Sequence, residues 1–196
     1  MVGEAGVDFL HWLERHSERL LADSPSQNAE ALFAWLGERG LPYSVEVADP
    51  VEGELGREVV ISAAGDSTQF DSVRRFVASI PPVHGWRIVA LKPPRGFEFM
   101  SQAEGLNVDV AKLKFDPLAS IVPGEITIKI YVPESVRKHP ERAVIVSSII
   151  DHGLGEVCSA RIGRILVGGL ATAPTAALPI CDLHQFVSWR LKSGNG

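Results

Sequence analysis

The chain has only two cysteines, Cys158 and Cys181, among its 196 residues. A secreted disulfide scaffold would carry more cysteines in a shorter chain, so we expect two free thiols in a reducing compartment. There is no run of about 18 consecutive apolar residues, and the sequence opens without the basic and apolar segments of a signal peptide. These absences predict a cytoplasmic protein with no membrane partner.

Positive charge is also scarce. The 19 Lys and Arg residues are outnumbered by 24 Asp and Glu residues, which gives a formal net charge of −5. Nucleic-acid-binding proteins usually carry a basic surface, because neutralisation of phosphates supplies most of their non-specific affinity. The densest basic stretch, residues 137–142, contains Glu141 and follows Glu134, a pattern typical of a solvated helix face. We therefore predict no nucleic-acid partner.

Familiar catalytic motifs are missing as well. The sequence contains no Gly-x-Ser-x-Gly elbow, no phosphate-binding P-loop and no His-Glu-x-x-His pair. Gly153-Leu154-Gly155 lacks the third glycine of a dinucleotide-binding loop and precedes no clear helix. We predict that the chain uses no cofactor, and these motifs assign it to no class of enzyme.

The apolar residues, in contrast, are plentiful and regularly spaced. Hydrophobic residues make up 45% of the chain, an ordinary value for a globular protein. Helical spacing over residues 8–22 and 26–39 predicts an N-terminal helical hairpin over residues 8–39. Alternating or short apolar runs then predict four strands, over residues 43–48, 58–63, 86–91 and 125–132.

The other segments are assigned from capping residues, length and period. Asp66 and Gln69 form a capping box that predicts a helix over residues 70–80, ended by Pro81-Pro82. Residues 143–150 fit either a strand or a helix, and the length of the apolar pattern favours a buried helix. In residues 95–124 we expect one or two short strands, near 106–110 and 113–115. A further strand is predicted over residues 156–167, ended by Gly168-Gly169. A last helix is predicted over residues 180–191.

Strands that follow one another without a regular helix between each pair favour an α+β fold. We predict a single α+β domain over residues 1–196, with residues 43–192 forming the sheet and its packed helices. The sheet is expected to be mainly antiparallel or mixed, with about five to seven strands above one shared apolar interior.

Two blocks of the sequence resemble a widespread family of uncharacterised bacterial proteins. The first runs from Val60-Ile61-Ser62 through Gly85-Trp86-Arg87 to Lys92-Pro93-Pro94-Arg95. The second is Asp151-His152-Gly153-Leu154-Gly155-Glu156. The resemblance implies a common fold and no assigned activity, so it carries no functional residues over to this chain.

The first candidate site is the cluster Asp151, His152 and Glu156. If helical geometry persists, His152 and Glu156 lie four residues apart on one face. A histidine beside carboxylates can act as an acid, a base or a metal ligand, because its pKa lies near neutrality. The structural interpretation is a hydrogen-bonded helix end, with Gly155 as the stop.

Two further candidate sites rest on single features. Cys181 and His184 are three residues apart, and Cys158 and His152 are possible further ligands for a metal, but the paired Cys-x-x-Cys spacing of structural zinc sites is absent. Lys92 and Arg95 flank a proline pair and are candidates for gripping an anionic group. The structural interpretations are buried thiols and a proline-stiffened loop.

The leading hypothesis is a non-enzymatic binding or interaction module that self-associates, as a homo-oligomer and most simply as a dimer. The absence of catalytic motifs and the need to cover the edges of a sheet favour it. The alternative is a small hydrolase or transferase, with or without a metal, that uses Asp151, His152 and Glu156. A third hypothesis, an acidic protein that neutralises a basic partner, depends on the net charge alone.

Overall fold

The computed structural model describes residues 2–50, 56–103, 105–120, 122 and 125–193, without the side chains of residues 2–4 and 193. They form an α+β fold, as the sequence predicts. Contacts divide the chain into two compact units, Met1–Lys92 and Pro93–Gly196. The expectation of one domain over residues 1–196 stays a prediction.

The first unit contains three helices and a three-stranded sheet. Its elements are α1 (Val2–Ala22), α2 (Pro25–Glu38), β1 (Ser44–Ala48), β2 (Arg57–Ser62), α3 (Phe70–Ala78) and β3 (Trp86–Ala90). The predicted helices and strands of this region are all present. Asp49-Pro50-Val51-Glu52-Gly53 has the composition of a turn, and residues 51–53 of this segment lie outside the described residues.

Capping explains where α2 begins. The Ser24 hydroxyl accepts a hydrogen bond from the backbone of Gln27, the Gln27 side chain reaches back to Ser24, and Pro25 occupies the first turn. The spacing of Ala29, Leu32, Phe33 and Leu36 predicts a buried stripe with Trp35 at its margin, but Trp35 is 3% exposed whereas Phe33 is 58% exposed. The Trp35 ring packs edge-on against the ring of Phe9 of α1, and the two ring centroids lie 5.0 Å apart.

The start of α3 differs in detail from the predicted capping box. The Asp66 carboxylate accepts a hydrogen bond from the backbone of Thr68 and so caps a short 3₁₀ turn that precedes the helix. Gln69 makes no capping hydrogen bond to α3. The Asp66 N–H donates instead to the carbonyl of Ala63.

The sheet of the first unit has the order β1-β2-β3. β1 and β2 are antiparallel, with Val45 opposite Ile61, and α3 connects β2 to the parallel strand β3. Phe76 of α3 contacts Phe9, with ring centroids 5.8 Å apart, so the helices share the apolar interior of this unit.

The second unit contains two sheets. Its elements are β4 (Met100–Ala103), β5 (Leu106–Asp109), β6 (Lys114–Leu118), β7 (Ile126–Val132), α4 (Glu134–Arg137), α5 (Arg142–Leu154), α6 (Glu156–Ser159), β8 (Ile162–Gly169), β9 (Leu178–Pro179) and α7 (Leu183–Ser193). The preferred helix over residues 143–150 is confirmed by α5. The expected strands near 106–110 and 113–115 correspond to β5 and β6, while β4 was not predicted.

The larger sheet of this unit has the order β8-β7-β6-β9. β6 and β7 are antiparallel, and the helical segment α4–α6 connects β7 to the parallel strand β8. Both units therefore contain an antiparallel pair followed by a helical connection to a third, parallel strand. The strands and helices α5 and α7 enclose a buried cluster that includes Phe115, Ile128, Ile130, Ile149 and Val187.

Two expectations about the sheets are wrong. The described strands belong to three sheets, of three, two and four strands, instead of one sheet of about five to seven. The predicted strand over 156–167 begins late, because Glu156–Ser159 forms a helical turn, and it ends late at Gly169. Within the strand, Gly168 fits where a larger residue would not, because a Cβ there would lie 2.7 Å from Cε of Lys129 and 2.9 Å from Cδ1 of Tyr131, both on β7.

A β-bulge at Gly163 determines which residues of β8 face the core. The register with β7 shifts here, so Ile162 pairs with Ile126 and Arg164 pairs with Thr127. Ile162 consequently packs on the core together with Ile165 and Val167, although strict alternation would place it on the opposite face. Glu125 occupies the space that a side chain at Gly163 would need.

The other face of this sheet carries a tyrosine–carboxylate pair. The Tyr131 hydroxyl donates to Oδ2 of Asp116 at 2.7 Å, and Tyr131 is 3% exposed. The hydrogen bond to Asp116, with burial and the negative charge of Asp116, raises the pKa of Tyr131 to about 12. The folded protein thus holds this proton more tightly than the unfolded chain does.

This pair predicts a specific loss of stability at alkaline pH. The contribution of Tyr131 is complete below its ordinary pKa of 10.0 and is lost as the pH rises to about 12. Tyr131→Phe removes the titrating group, so its free energy of unfolding should fall less over that interval than that of the unaltered protein. Urea unfolding just below and well above pH 10.0 measures the difference. Equal losses in the two proteins would contradict the prediction.

Candidate functional site

The helix that carries Asp151 and His152 of the predicted acid–base cluster ends before Glu156. The helix α5 ends at Leu154, because Gly155 has a φ of 74°. Glu156 follows the break and is 1% exposed, whereas His152 is exposed and its ring lies 4.3 Å from that of Phe99. The helical geometry that would place His152 and Glu156 on one face does not persist, and Gly155 is the stop that the structural interpretation requires.

The candidate metal ligands Cys158, Cys181 and His184 lie on α6, in a 3₁₀ turn and on α7, respectively. Within the described ranges, no three His, Cys, Asp or Glu side chains are grouped so that they could hold a metal ion. Both cysteines are free thiols: Cys181 is exposed, and Cys158 is half-buried on α6 and packs against the core. Cys181 precedes α7 in a 3₁₀ turn, and His184 is the second residue of that helix.

The two candidate anion-binding cations have different environments. Lys92 belongs to the first unit, where its Nζ lies 2.6 Å from Oε1 of Glu46. Arg95 belongs to the second unit, in the loop that precedes β4. Arg95 lines a cleft together with other candidate residues.

This cleft, which we call the thiol cleft, is formed within the second unit and has a volume of about 430 Å³. It is lined by three segments: residues 94–98, Gly153 at the end of α5, and Cys181 and His184 at the start of α7. Its volume lies in the range of small-molecule sites, roughly 300 to 1,000 Å³. The structure thereby brings Arg95 together with Cys181 and His184, which the sequence suggested only for separate sites.

Backbone hydrogen bonds fix the wall of the thiol cleft. The Arg95 N–H donates to the carbonyl of His152 at 3.0 Å, and the Gly96 N–H donates to that of Gly153 at 3.1 Å. Phe97 is 2% exposed, and its ring lies where a Cβ of Gly153 would be, with Cε1 only 2.1 Å from that position. The loop is therefore held against the end of α5 by both polar and apolar contacts.

The side chains that line the thiol cleft combine opposite charges with a nucleophile. Arg95 supplies a guanidinium, Glu98 a carboxylate, Cys181 a thiol and His184 an imidazole. A thiol and an imidazole in one cleft are groups that can carry out thiol chemistry. Sequence reasoning missed Glu98, since an isolated glutamate in a loop gives no signal of its own.

A second feature of the same unit is the outer edge of β8. This strand has eight residues and is hydrogen-bonded to β7 on one side, with no strand on its other side among the described residues. Ile165, Leu166 and Val167 form an apolar run that is half-buried, whereas the neighbouring strand β7 is buried at six of its seven positions. Arg164 is the single charged residue of β8.

The opposite edge of the sheet is protected. β9 covers only Lys114 and Phe115 of β6, and each of these two strands contains a proline, Pro117 and Pro179. A proline has no N–H to offer an incoming strand, and short strands resist edge pairing. β8, in contrast, contains no proline and has eight residues, and its bulge at Gly163 and its charged Arg164 both lie in its first half.

Comparisons with known proteins found no significant similarity to this chain. No family model matches it, and neither the curated proteins nor the solved structures include a significant match. The resemblance to uncharacterised bacterial proteins thus stays a prediction. In the part of the chain that the structure describes, no helix combines the length and apolar character needed to cross a membrane.

Proposed function

We propose that the chain is a non-enzymatic interaction module that self-associates as a dimer in the cytoplasm, through pairing of two β8 strands. The observation that carries the proposal is the open, apolar, eight-residue edge of β8. A long exposed edge of this kind is a template for another strand, and proteins usually blunt such edges when they stay monomeric. The blunted β6–β9 edge of the same sheet provides the contrast.

A second copy of the chain is the occupant that fits this edge. An antiparallel ladder has local two-fold symmetry, so a strand can pair with its own copy about a two-fold axis. The pairing would satisfy the outward backbone groups of both β8 strands and join the two sheets into one. A centre at Ile165 places Arg164 opposite Leu166 of the partner subunit, which avoids opposing cations.

The acid–base alternative has less support than self-association. A hydrolase or transferase at Asp151, His152 and Glu156 needs side chains that converge on a reacting atom. Gly155 interrupts the helix between His152 and Glu156, and Glu156 is withdrawn from solvent. The likeness to uncharacterised bacterial proteins agrees with either hypothesis, since it implies no activity.

The test is a charge placed on the proposed interface. Leu166→Lys adds a cation beside Arg164, so that cations of the two β8 strands would lie opposite or diagonal to each other in a dimer. We expect light scattering after size exclusion to show a dimer for the unaltered protein at micromolar concentration. The Leu166→Lys variant should be a monomer with at least about a tenfold weaker association.

Leu118→Lys is the matched control. Leu118 is partly exposed on β6, on the protected edge of the same sheet, and its pairing partner Thr127 also pairs with Arg164. This variant should remain a dimer. A monomeric unaltered protein would refute self-association, and a dimer that survives Leu166→Lys would exclude β8 as its interface.

A further inference from the structure

We propose that a second pocket within the second unit, which we call the aromatic pocket, binds a small aromatic carboxylate. The pocket is lined by residues 117–119 at and just after the end of β6, by Ile126 and Thr127 at the start of β7, and by Phe186, Trp189 and Arg190 of α7. This inference is independent of self-association through β8. It rests on a formed pocket that combines two aromatic rings with a guanidinium.

The helix α7 places three of these side chains on one face. Phe186, Trp189 and Arg190 are spaced at i, i+3 and i+4, so they are neighbours on the helix surface. The Phe186 ring packs on Phe115 of the core, with ring centroids 5.7 Å apart, and the Trp189 ring centroid lies 6.1 Å from that of Phe186. The core therefore anchors the aromatic wall of the pocket.

The apolar surface of the aromatic pocket is in contact with water. Trp189 is 58% exposed and Leu118 is 36% exposed, whereas Leu183 and Val187 of α7 are fully buried. A ligand ring that covers Trp189 would remove apolar surface from water and would contact an aromatic face. The pocket volume of about 290 Å³ is near the lower limit of small-molecule sites, roughly 300 Å³, and suits one ring with a short side chain.

Arg190 selects the polar group of the ligand. Its side chain is exposed and forms no ion pair with any described residue. Its planar fork of N–H donors suits a carboxylate, and none of the described residues that line the pocket is an Asp or a Glu. The Thr127 hydroxyl donates to Oε1 of Glu125 at 3.4 Å, which places the nearest carboxylate on the Thr127 side. We expect the ligand carboxylate at Arg190 and the ligand ring against Trp189.

Phenylacetate, phenylacetamide and cyclohexylacetate test the proposal, because they have similar shapes and differ in charge or in aromatic character. The indole N–H signal of Trp189 in a ¹⁵N-labelled sample, assigned with Trp189→Phe, reports binding in the pocket. Phenylacetate should shift this signal saturably, with a Kd at least about tenfold lower than that of the neutral phenylacetamide. Cyclohexylacetate should bind at least about twofold more weakly than phenylacetate, since it lacks the contact between rings.

Arg190→Gln separates recognition of charge from the shape of the pocket. This variant should bind phenylacetate and phenylacetamide with Kd values within about twofold of each other. Lys192→Gln is the matched control, because it removes the same charge from the same last turn of α7 at a position that does not line the pocket. It should keep the preference of the unaltered protein for the carboxylate.

Four results would overturn the proposal. The first is a Trp189 signal that does not respond to phenylacetate up to about 10 mM. The second is an unaltered protein that binds phenylacetamide as tightly as phenylacetate. The third is a preference for the carboxylate that survives Arg190→Gln, or that Lys192→Gln abolishes equally, which would assign it to the general surface charge. The fourth is cyclohexylacetate binding as tight as that of phenylacetate, which would exclude selection of an aromatic ring.

Discussion

Gly153→Ala is expected to lower the free energy of unfolding of the second unit by about 2 kcal/mol. An alanine Cβ would lie 2.1 Å from Cε1 and 2.4 Å from Cζ of Phe97, which is 2% exposed and has little room to retreat. The clash must outweigh the gain of up to about 1 kcal/mol that alanine brings to a helix interior. Hydrogen exchange of the α5 amides, followed in increasing urea, measures the loss in this unit.

Two companion variants separate the clash from helix propensity. Gly37→Ala changes a glycine of α2 whose Cβ would meet no atom within 4 Å, so it should be neutral or stabilise by up to about 1 kcal/mol. In a Phe97→Ala background the ring is gone, and Gly153→Ala should then behave like Gly37→Ala. If Gly153→Ala instead raises the free energy of unfolding of the otherwise unaltered protein, the close approach of Phe97 does not destabilise the variant.

The same substitution should also disturb the thiol cleft. Gly153 and Phe97 both line it, and the neighbouring Arg95 is held through the backbone of His152. Displacing the Phe97 ring shifts the loop that carries Arg95 and Glu98. A crystal structure of the Gly153→Ala variant should therefore show a displaced loop over residues 94–98.

Gly56→Ala should lower the free energy of unfolding of the first unit by about 3 kcal/mol or more. Gly56 has a φ of 98°, and its Cβ would lie 2.6 Å from the carbonyl carbon of Gly85 and 2.7 Å from its oxygen. Backbone atoms cannot rotate away as a side chain can. The same carbonyl accepts the Arg57 N–H at 2.9 Å, at the start of the β2–β3 pairing.

Gly65→Ala is the control that isolates backbone strain. Gly65 has a φ of 85°, but a Cβ there would meet nothing within 4 Å, so the cost should be only about 1 to 2 kcal/mol. Urea unfolding followed by tryptophan fluorescence compares the two variants, since Trp86 is buried on β3. Equal losses would mean that the approach of Gly85 adds nothing to the strain of a positive φ.

Local signals in the sequence predicted many of the elements. The capping residues Ser24 and Asp66 mark helix starts in both cases, because a cap acts on backbone groups within three residues. The alternating pattern of residues 125–132 predicted β7, which is buried on both faces of the sheet. These features depend on neighbours in the chain, so a single sequence contains them.

Features that depend on distant residues were not predicted. The bulge at Gly163 depends on the register between β8 and β7 and on Glu125, which fills the space next to Gly163. Residues 156–169 by themselves contain neither piece of information. The division of the strands into three sheets depends on pairing partners, which a period of two does not identify.

The candidate sites follow the same rule. Arg95, Cys181 and His184 were singled out for their chemistry, but the sequence placed Arg95 with Lys92 and placed the other two with Cys158. The fold regroups them, because the loop before β4 is hydrogen-bonded to the end of α5, and both meet the start of α7 at the thiol cleft. For Asp151, His152 and Glu156, the spacing suggested a shared helix face, but the helix ends at Gly155.

The order in which the elements of the two units are translated has a consequence for folding during synthesis on the ribosome. The sheet of the first unit uses residues 44–90, so it can assemble while β6 and β7 are still being translated. The core of the second unit also requires Leu183 and Val187 of α7, which emerge after all four strands of its sheet. Until then the apolar faces of β6 and β7 lack their cover, and this interval is when a nascent chain most needs a chaperone.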